Sequence, residues 1–340
     1  MPKISIVVPA RNEANRIVNL LHSIKRQKYE NFEVIVVDDN SEDSTVDVVK
    51  SFQSSLKDLR IVSSSYKNGW CGKNLALVTG FNEVSVDSRW VLFVDADCEL
   101  KENALITVAD FAERNSIDCL SLFPEIRSQR FFERLLLPTV GAVVTLFNSP
   151  KRVNRHELSD AFLNGQFIFI KKEVYRDIGT HEVVKDAVLE DAALAKEIKK
   201  RGYKIFLGFG EDIFLIRMYE TFKEFMEGWT KNLYLIIGKD FKNLVKLILM
   251  LMVLSYMPIV WLIYGVVLLP NKVALAFISA YLLVLFFQMY LRLRSNTYPL
   301  YSVFAFVSST IVAGIAIRSA CKYILKRGVY WKGRKYFSDR

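Results

Sequence analysis

The chain has 340 residues, of which 51% are hydrophobic, and it carries a net charge of +10. This hydrophobic share exceeds that of a typical soluble protein, and the length suits one α/β domain with an appendage. After residue 240 the sequence is mostly apolar, with one acid, Asp339, and thirteen Lys and Arg. Because these basic residues flank apolar segments, they favour attraction to anionic lipid headgroups and argue against a nucleic-acid partner.

The N-terminus and the cysteines indicate the compartment. The opening residues, MPKISIVVPA, have the pattern of a strand and not that of a signal peptide, so residues 1–240 are expected to stay in the cytosol. The four cysteines, Cys71, Cys98, Cys119 and Cys321, have no metal-ligand spacing. They are predicted to be free thiols in a reducing compartment.

Strands and helices alternate along the first hundred residues. Continuous apolar, β-branched runs predict buried strands, and apolar residues at helical spacing predict helices. The predicted strands are 4–8, 32–37, 59–63 and 90–94, and the predicted helices are 14–26, 44–52 and 75–83. This alternation requires right-handed crossovers and a parallel sheet, which binds ligands at the carboxyl ends of its strands.

The pattern is less regular from residue 131 onward. Residues 131–147 are strongly apolar but contain Pro138 and Gly141, so we interpret them as a helix lying on the membrane or against the membrane anchor, with a core helix as the alternative. Strands are predicted at 167–170 and 203–207, and helices at 187–201 and 222–235.

Three long apolar stretches follow, at 244–269, 273–291 and 299–317. The first two are each long enough to span a bilayer, and the third is the weakest because it contains several Ser and Thr. If all three cross and the first domain is cytosolic, the basic residues of 321–340 end outside, against the positive-inside tendency. We therefore expect two or three spans within 241–320 and a cytosolic tail.

Asp95-Ala96-Asp97 directly follows the fourth predicted strand. Two carboxylates at this spacing can converge on one divalent ion and on the diphosphate that it bridges. Hard oxygen ligands suit Mg²⁺ or Mn²⁺, and such an ion would neutralise charge on a leaving nucleoside diphosphate. A solvated loop is the alternative.

Acidic residues also follow the second strand and open a later helix. Asp38 and Asp39 could accept hydrogen bonds from a nucleotide base or ribose, or could cap the next helix, and the Pro9–Glu13 turn would border the same pocket. Glu190 and Asp191 could serve as helix-dipole partners or supply a general base. The three histidines form no ligand spacing and are predicted to be structural.

Taken together and in order, several segments resemble glycosyltransferase family 2, which has the glycosyltransferase A fold. They are ISIVVPARNE, VVDDNSEDST, GWCGKNLAL, FVDADCEL, LNGQFIFIKKEVYRDIG and VLEDAALAKEIKKRGYKI, within residues 4–231. GW and GKN at 69–74, RMY at 217–219 and WKGRKY at 331–336 are most similar to a subgroup that glycosylates membrane lipids, including hopanoid-associated, carotenoid-acid and ceramide enzymes. The resemblance implies a Rossmann-like α/β domain with a mostly parallel sheet, followed by transmembrane helices.

The resemblance assigns nucleotide-sugar binding to four positions before the acidic pair. Pro9, Glu13 and Asp39 would frame the nucleotide, and Lys73 would lie near its base or diphosphate.

It also assigns the chemistry. Asp95 would hold the donor sugar or the metal, Asp97 would bind the metal directly, and Asp191 would be the catalytic base, with Glu190 beside it. The implied reaction is one in-line displacement with inversion at the anomeric carbon.

One family motif is missing. Processive and ceramide-type members carry QxxRW or RxxRW, whereas this chain has no Arg before Trp229. Arg217, Lys231 or Arg334 would then supply positive charge near the diphosphate, and a processive polysaccharide synthase is disfavoured.

These observations predict a multi-pass cell-membrane enzyme with a cytoplasmic catalytic domain at 1–240, a membrane domain at 241–320 and a basic tail at 321–340. It would use Mg²⁺ or Mn²⁺ to transfer a sugar from a UDP- or GDP-linked donor to a hydroxyl or carboxylate of a membrane lipid. The alternatives are a mannosyl or glucosyl transferase acting on polyprenyl phosphate, a polysaccharide synthase and a non-enzymatic nucleotide-binding anchor.

Overall fold

A computed structural model describes residues 1–56, 58–65, 67–268, 271–294, 297–326, 328–331 and 334–336. The chain forms two compact units. The first contains Met1–Arg127 and Asn148–Met218, and the second contains Ser128–Phe147 together with the described residues from Tyr219 to Tyr336. Residues 327, 332–333 and 337–340 of the predicted basic tail lie outside the described residues.

The first unit is an α/β structure, as predicted. Its strands are β1 (Lys3–Ala10), β2 (Phe32–Asp38), β3 (Leu59–Ser63), β4 (Ser88–Val94), β5 (Cys98–Leu100), β6 (Cys119–Ile126), β7 (Phe167–Lys171) and β8 (Ile205–Ile216). Its helices are α1 (Ala14–Lys25), α2 (Thr45–Phe52), α3 (Gly72–Asn82), α4 (Ala104–Arg114), α6 (Pro150–Val153), α7 (Lys172–Asp177) and α8 (Glu190–Lys200), with a 3-10 helix at Thr180–Val184. Helix α5 (Phe131–Phe147) belongs to the second unit.

The described strands of this unit form one mixed sheet in the order β3-β2-β1-β4-β7-β6-β8-β5. β1 to β4, β6 and β8 run in one direction, whereas β7 and β5 are antiparallel to their neighbours. The prediction of a mostly parallel sheet is therefore confirmed. Because β1, β2, β4 and β6 point the same way, the residues that follow them lie along one edge of the sheet.

Burial in the core explains why the apolar runs in the sequence predicted the first strands. Ile4, Ile6 and Val8 of β1 are fully buried, and the β4 residue Trp90 stacks on Phe169 of β7 with ring centroids 4.5 Å apart. Burial of each such side chain stabilises the fold by about 1.5–3 kcal/mol. Strands covered on both faces need continuous apolar runs, which is the pattern seen at β1, β2 and β4.

Two predicted boundaries were wrong for reasons that the structure shows. The helix predicted at 187–201 begins at Glu190, because the backbone carbonyls of Lys185 and Ala187 accept hydrogen bonds from Asn74 and do not enter a helix. The strand predicted at 203–207 continues to Ile216, because β8 pairs first with β6 and then with β5.

The second unit is helical, with a short β-ribbon at its end. Besides α5 it contains α9 (Phe222–Ile236), α10 (Phe241–Leu268), α11 (Asn271–Arg294), a 3-10 helix (Pro299–Phe304), α12 (Ala305–Ile324), β9 (Val329–Trp331) and β10 (Arg334–Tyr336). Among the described residues, four helical segments are long and apolar enough to cross a membrane: Phe131–Val153, Phe241–Val267, Val273–Leu293 and Pro299–Ile324.

Helix α10 has different partners along its length. Its C-terminal half packs against α11, where the rings of Tyr264 and Phe277 are 6.0 Å apart. Its middle meets the start of α12, where the hydroxyls of Ser255 and Ser309 are 2.5 Å apart. The end of α12 contacts α9 through a hydrogen bond from the Tyr323 hydroxyl to the Lys231 carbonyl. Because α9 leads directly into α10, α12 is antiparallel to α10 and ends beside its N-terminus.

Polar groups of this unit bond to the backbone of α5 near Pro138. Pro138 has no amide hydrogen to donate to the Arg134 carbonyl, four residues earlier. The buried guanidinium of Arg292 donates to that carbonyl at 2.9 Å, and Ser308 donates to the Leu135 carbonyl at 3.0 Å. These bonds satisfy backbone groups that would otherwise be costly to bury.

Candidate active site

The predicted acidic pair lies at the sheet edge where ligands are expected. Asp95 follows the last residue of β4, and its amide donates to the Gln166 carbonyl at 3.2 Å. Asp97 precedes β5 by one residue. Both side chains are partly exposed, so their oxygens can reach a ligand from the carboxyl edge of the sheet.

Lys73, in the first turn of α3, joins this pair to the acids of α8. Its ammonium lies 2.9 Å from an Asp95 carboxylate oxygen and 3.0 Å from a Glu190 oxygen. Burial opposes the charged form of Lys73, but the charges of Asp95, Glu190 and Asp191 outweigh that effect and hold its pKa well above the usual range. Lys73 is therefore a fixed positive charge between two acidic segments.

Asp191 occupies the first turn of α8 and is buried. One of its oxygens accepts the Gly165 amide hydrogen at 2.8 Å, and the other accepts that of Ala192 at 2.7 Å. A Cβ at Gly165 would lie 2.9 Å from an Asp191 oxygen, so only glycine allows this approach. Nothing in the sequence singles out Gly165 except its place in the LNGQ segment.

The environment of Asp191 favours its protonated form. Burial and the negative charge of Glu190 raise the pKa of Asp191 to about 7, although Lys73 and the two backbone donors oppose the shift. A carboxylate with a pKa near neutrality can both accept and hold a proton at working pH, as a general base requires. Perturbed carboxylates of this kind are concentrated at functional sites.

Asn74 fixes the segment that leads into α8. Its buried side-chain amide donates to the carbonyls of Val184 at 2.8 Å, Lys185 at 3.2 Å and Ala187 at 3.2 Å. The Cys71 amide also donates to the Lys185 carbonyl, at 2.7 Å. The start of α3 thus positions Lys73 and holds the approach to Glu190. Asn74 was not among the predicted site residues.

His181 lies in the same segment and is completely buried. The Tyr175 hydroxyl accepts the His181 backbone amide hydrogen at 3.1 Å and forms a second hydrogen bond with His181 Nδ1, 2.5 Å away. Burial lowers the pKa of His181 to about 4, against the pull of Glu190 and with a contribution from Lys73. The histidine is therefore neutral, in agreement with its predicted structural role.

The other predicted nucleotide residues lie at the ends of β1 and β2. Pro9 is the penultimate residue of β1, and Asp39 donates its amide hydrogen to the Ala10 carbonyl at 2.8 Å. Arg11 donates to the Asp39 carbonyl at 3.2 Å, and the Glu13 amide donates to Thr45 at 2.8 Å. These residues share the sheet edge with Asp95.

Arg217 is placed by strand register. Cys98 of β5 pairs with Ile216 of β8 in an antiparallel arrangement. One step beyond that pair, the two chains continue with Asp97 and Arg217. The backbone of Arg217 is therefore one register step from that of Asp97. Within the part of the chain that the structure describes, the buried Arg217 Nε has no hydrogen-bond partner.

The acidic pair fits a divalent ion with few protein ligands. No group of three or more His, Cys, Asp or Glu side chains that could hold a metal ion occurs among the described residues. Mg²⁺ and Mn²⁺ commonly use one or two carboxylates and take their remaining ligands from water and substrate phosphates. Asp95 and Asp97 offer hard oxygen donors of this kind, and Lys73 offsets part of the charge of Asp95.

Comparison with known proteins places the chain in a family context. The model of the family described as "Glycosyl transferase family 2" matches residues 5–179. A 4,4'-diaponeurosporenoate glycosyltransferase of Staphylococcus aureus strain USA300 is 31% identical over 238 residues, which is 68% of this chain and 60% of that protein. The chain thus spans less than two thirds of the length of this relative.

A solved structure shares the fold. The mannosyltransferase PcManGT from Pyrobaculum calidifontis, in complex with GDP-Man and Mn²⁺, superposes with a TM-score of 0.56 at 19% sequence identity. The match covers 95% of this chain and 87% of the mannosyltransferase.

Proposed function

The chain belongs to glycosyltransferase family 2, and on this basis we propose that it is an inverting glycosyltransferase that transfers a sugar from a UDP- or GDP-linked donor to a membrane lipid. The observation that carries this proposal is the convergence of Asp95, Lys73, Glu190 and Asp191 in one site. The site combines the Asp95 carboxylate, at the carboxyl edge of the sheet, with the buried carboxylate of Asp191, which is suited to proton transfer.

In the proposed reaction, the hydroxyl oxygen of the acceptor attacks the anomeric carbon of the sugar, and Asp191 accepts the proton of that hydroxyl. The Gly165 and Ala192 amides hold the Asp191 carboxylate in one orientation. Glu190 and Lys73 set its proton affinity. Glycosyl transfer then needs no covalent enzyme intermediate, because the acceptor attacks directly from the face opposite the leaving diphosphate.

Asp97 and Asp95 would hold Mg²⁺ or Mn²⁺, which would neutralise the charge of the departing nucleoside diphosphate. Arg217, beside Asp97 in strand register, is proposed to add a fixed positive charge there, in place of the missing Arg before Trp229. Pro9, Glu13 and Asp39 would border the nucleotide. The mannosyltransferase of similar fold was solved with a nucleotide sugar and Mn²⁺, the same two kinds of ligand.

The lipid acceptor is supported by the apolar helices and by the relative that glycosylates diaponeurosporenoate. We place the first unit in the cytoplasm. Helix α12 ends beside the N-terminus of α10, and the basic tail at 321–340 begins there. By the positive-inside tendency, this end of the helices is expected at the cytoplasmic face.

A second candidate is a polyprenyl-phosphate glycosyltransferase. Its acceptor is already an anion and has little need of a base, whereas the raised pKa of Asp191 favours a hydroxyl acceptor. A carboxylate acceptor is likewise already ionised and needs no base. The variant Asp191→Asn therefore separates a hydroxyl acceptor, whose transfer it should impair, from a phosphate or carboxylate acceptor.

The full-length protein in nanodiscs, supplied with Mn²⁺ and a panel of UDP- and GDP-sugars, tests the proposal. Release of nucleoside diphosphate and a sugar-sized mass increase on an extracted lipid are expected with one donor. The variants Arg217→Ala and Arg334→Ala test the diphosphate charge. Absence of transfer from every donor to lipids of the host membrane contradicts the proposed activity.

A further inference from the structure

Three phenylalanines of the first unit form an aromatic cluster on one face of the sheet. Phe123 of β6 pairs in register with Phe209 of β8, and their ring centroids are 5.7 Å apart. The ring of Phe162 stacks on Phe123 at 6.2 Å. We call Phe123, Phe162 and Phe209 the aromatic platform.

Phe209 is unusual among these rings because 61% of its surface is exposed. Phe162 is buried and Phe123 is half-buried, so the platform is anchored in the fold and open at one end. Contiguous apolar surface that a fold leaves exposed is often functional.

Hydrogen bonds connect this face to Asp191. Ser121 lies two residues before Phe123 on the same face of β6. The Asn164 amide donates to the Ser121 hydroxyl at 2.8 Å, and the next amide along, that of Gly165, donates to Asp191 at 2.8 Å. One short segment, 162–165, therefore contributes a ring to the platform and an amide to the catalytic carboxylate.

The two features also lie toward one end of the sheet. β6 runs parallel to β4, and Phe123 is in the second half of β6. The platform is thus displaced from Ser121 toward the carboxyl edge, where Asp95 follows β4. An acceptor whose hydroxyl meets Asp191 would have a nearby apolar surface for the rest of its body.

From this geometry we propose that the aromatic platform binds the hydrocarbon part of the lipid acceptor and selects acceptors with an apolar chain next to the reacting group. This inference rests on the proposed glycosyl transfer to a lipid. A bilayer phospholipid is the competing occupant, since an exposed Phe can also insert into a membrane surface. The continuity of the platform with Gly165 and Asp191 favours the acceptor.

Photolabelling separates these occupants without depending on turnover. Full-length protein in nanodiscs is irradiated with either a diazirine-labelled free fatty acid or a diazirine-labelled phosphatidylcholine, and labelled peptides are identified by mass spectrometry. We expect the fatty acid to label peptides containing 119–126 and 205–216 several-fold more than the phospholipid does. Equal labelling by the two probes, or labelling confined to the second unit, overturns the proposal.

Variants sharpen the test. Phe209→Ser is expected to lower fatty-acid labelling of the platform and to raise the KM for a lipid acceptor by roughly tenfold, the scale of losing one apolar contact in a pocket. Phe209→Trp keeps an aromatic ring and should leave the fatty-acid labelling and the acceptor KM near their wild-type values. Phe111→Ala is the matched control, because Phe111 packs on Phe206, which lies on the opposite face of β8.

The labelling result also distinguishes this proposal from the proposed function. If no lipid accepts sugar but Phe209→Ser abolishes preferential fatty-acid labelling, the subsite stands and the assigned reaction fails. If transfer occurs and neither labelling nor the acceptor KM changes in Phe209→Ser, the subsite fails and the reaction stands.

Discussion

Lys73 Nζ lies 2.9 Å from a carboxylate oxygen of Asp95, and on its other side it reaches Glu190 at 3.0 Å. The Lys73 ammonium therefore offsets the negative charge of Asp95, at the sheet edge where the sugar donor is proposed to bind. It also offsets that of Glu190, the residue before the proposed base Asp191. Because all three charges are close together, a change at Lys73 is expected to affect both the proposed donor binding and the proposed proton transfer.

Replacing Lys73 with Met leaves Asp95, Glu190 and Asp191 facing one another without the cation. Loss of a charge-assisted contact of this kind costs about 1.5–3 kcal/mol, so kcat/KM is expected to fall at least tenfold. Because Lys73 lowers the pKa of Asp191, that pKa should rise in the variant, and the acidic limb of the pH–rate profile should move to higher pH.

Lys67→Met is the control for this change, since Lys67 lies in the preceding loop, over the Trp70 ring. It should leave the profile unchanged. A Lys73→Met enzyme with the wild-type pH profile would show that Lys73 does not influence the base.

Asp191→Asn removes the proposed base while keeping the side-chain size. If the acceptor is a hydroxyl, kcat should fall by about 10²–10⁴-fold, the usual contribution of general-base catalysis. Glu190→Gln should cost less, because Glu190 acts through its charge. Single-turnover assays with a fixed donor measure both variants, and near-normal turnover of Asp191→Asn would instead indicate a phosphate or carboxylate acceptor.

The raised pKa of Asp191 also predicts pH dependence. The base acts when deprotonated, so kcat should increase with pH up to about 7 and level off above it. The contribution of Asp191 to the free energy of unfolding has the opposite pH dependence. The folded pKa of about 7 exceeds the ordinary aspartate value of 3.8, so the folded state binds the proton more tightly than the unfolded chain does. This stabilisation is lost as pH rises from about 4 through 7.

Thermal denaturation of the full-length protein in detergent, followed between pH 4 and 8, measures this effect. Asp191→Asn should show a smaller fall in Tm across the interval than the wild type. Parallel curves for the two proteins would mean that Asp191 ionises in the folded state as it does in the unfolded chain.

Asp97→Asn is expected to weaken the proposed metal site. Even changes to outer partners of metal ligands cost roughly 10–100-fold in affinity, so the apparent Kd for Mn²⁺ should rise by at least that factor. Electron paramagnetic resonance of free Mn²⁺, with nucleoside diphosphate present, gives the Kd without relying on turnover. Asp87→Asn, at an exposed turn, is a control that should not alter it.

The sequence predicted those parts of the fold that are encoded locally. β1, β2 and β4 are covered on both faces, so their composition identifies them, and the acidic residues after them follow from strand direction. α4 and β6 were not predicted, although they complete the core. Contacts such as Lys73–Glu190 join residues far apart in the chain and depend on α3 packing beside the 184–187 segment, which no local pattern shows.

The final prediction concerns that packing. Asn74→Ala removes the donor shared by the Val184, Lys185 and Ala187 carbonyls, and each lost hydrogen bond costs about 0.5–1.5 kcal/mol. The Val184 and Lys185 carbonyls keep backbone donors, from Ala187 and Cys71, so the loss falls mainly on the Ala187 carbonyl. Because this segment leads into α8, its loosening should let Glu190 and Asp191 leave their positions. Hydrogen exchange of amides 182–192 is therefore expected to accelerate, and kcat to fall with little change in donor KM. Thr79→Ala removes a hydroxyl that donates within α3, to the Leu75 carbonyl, and should leave both unchanged. If exchange in 182–192 is the same in Asn74→Ala and wild type, Asn74 does not position the catalytic acids.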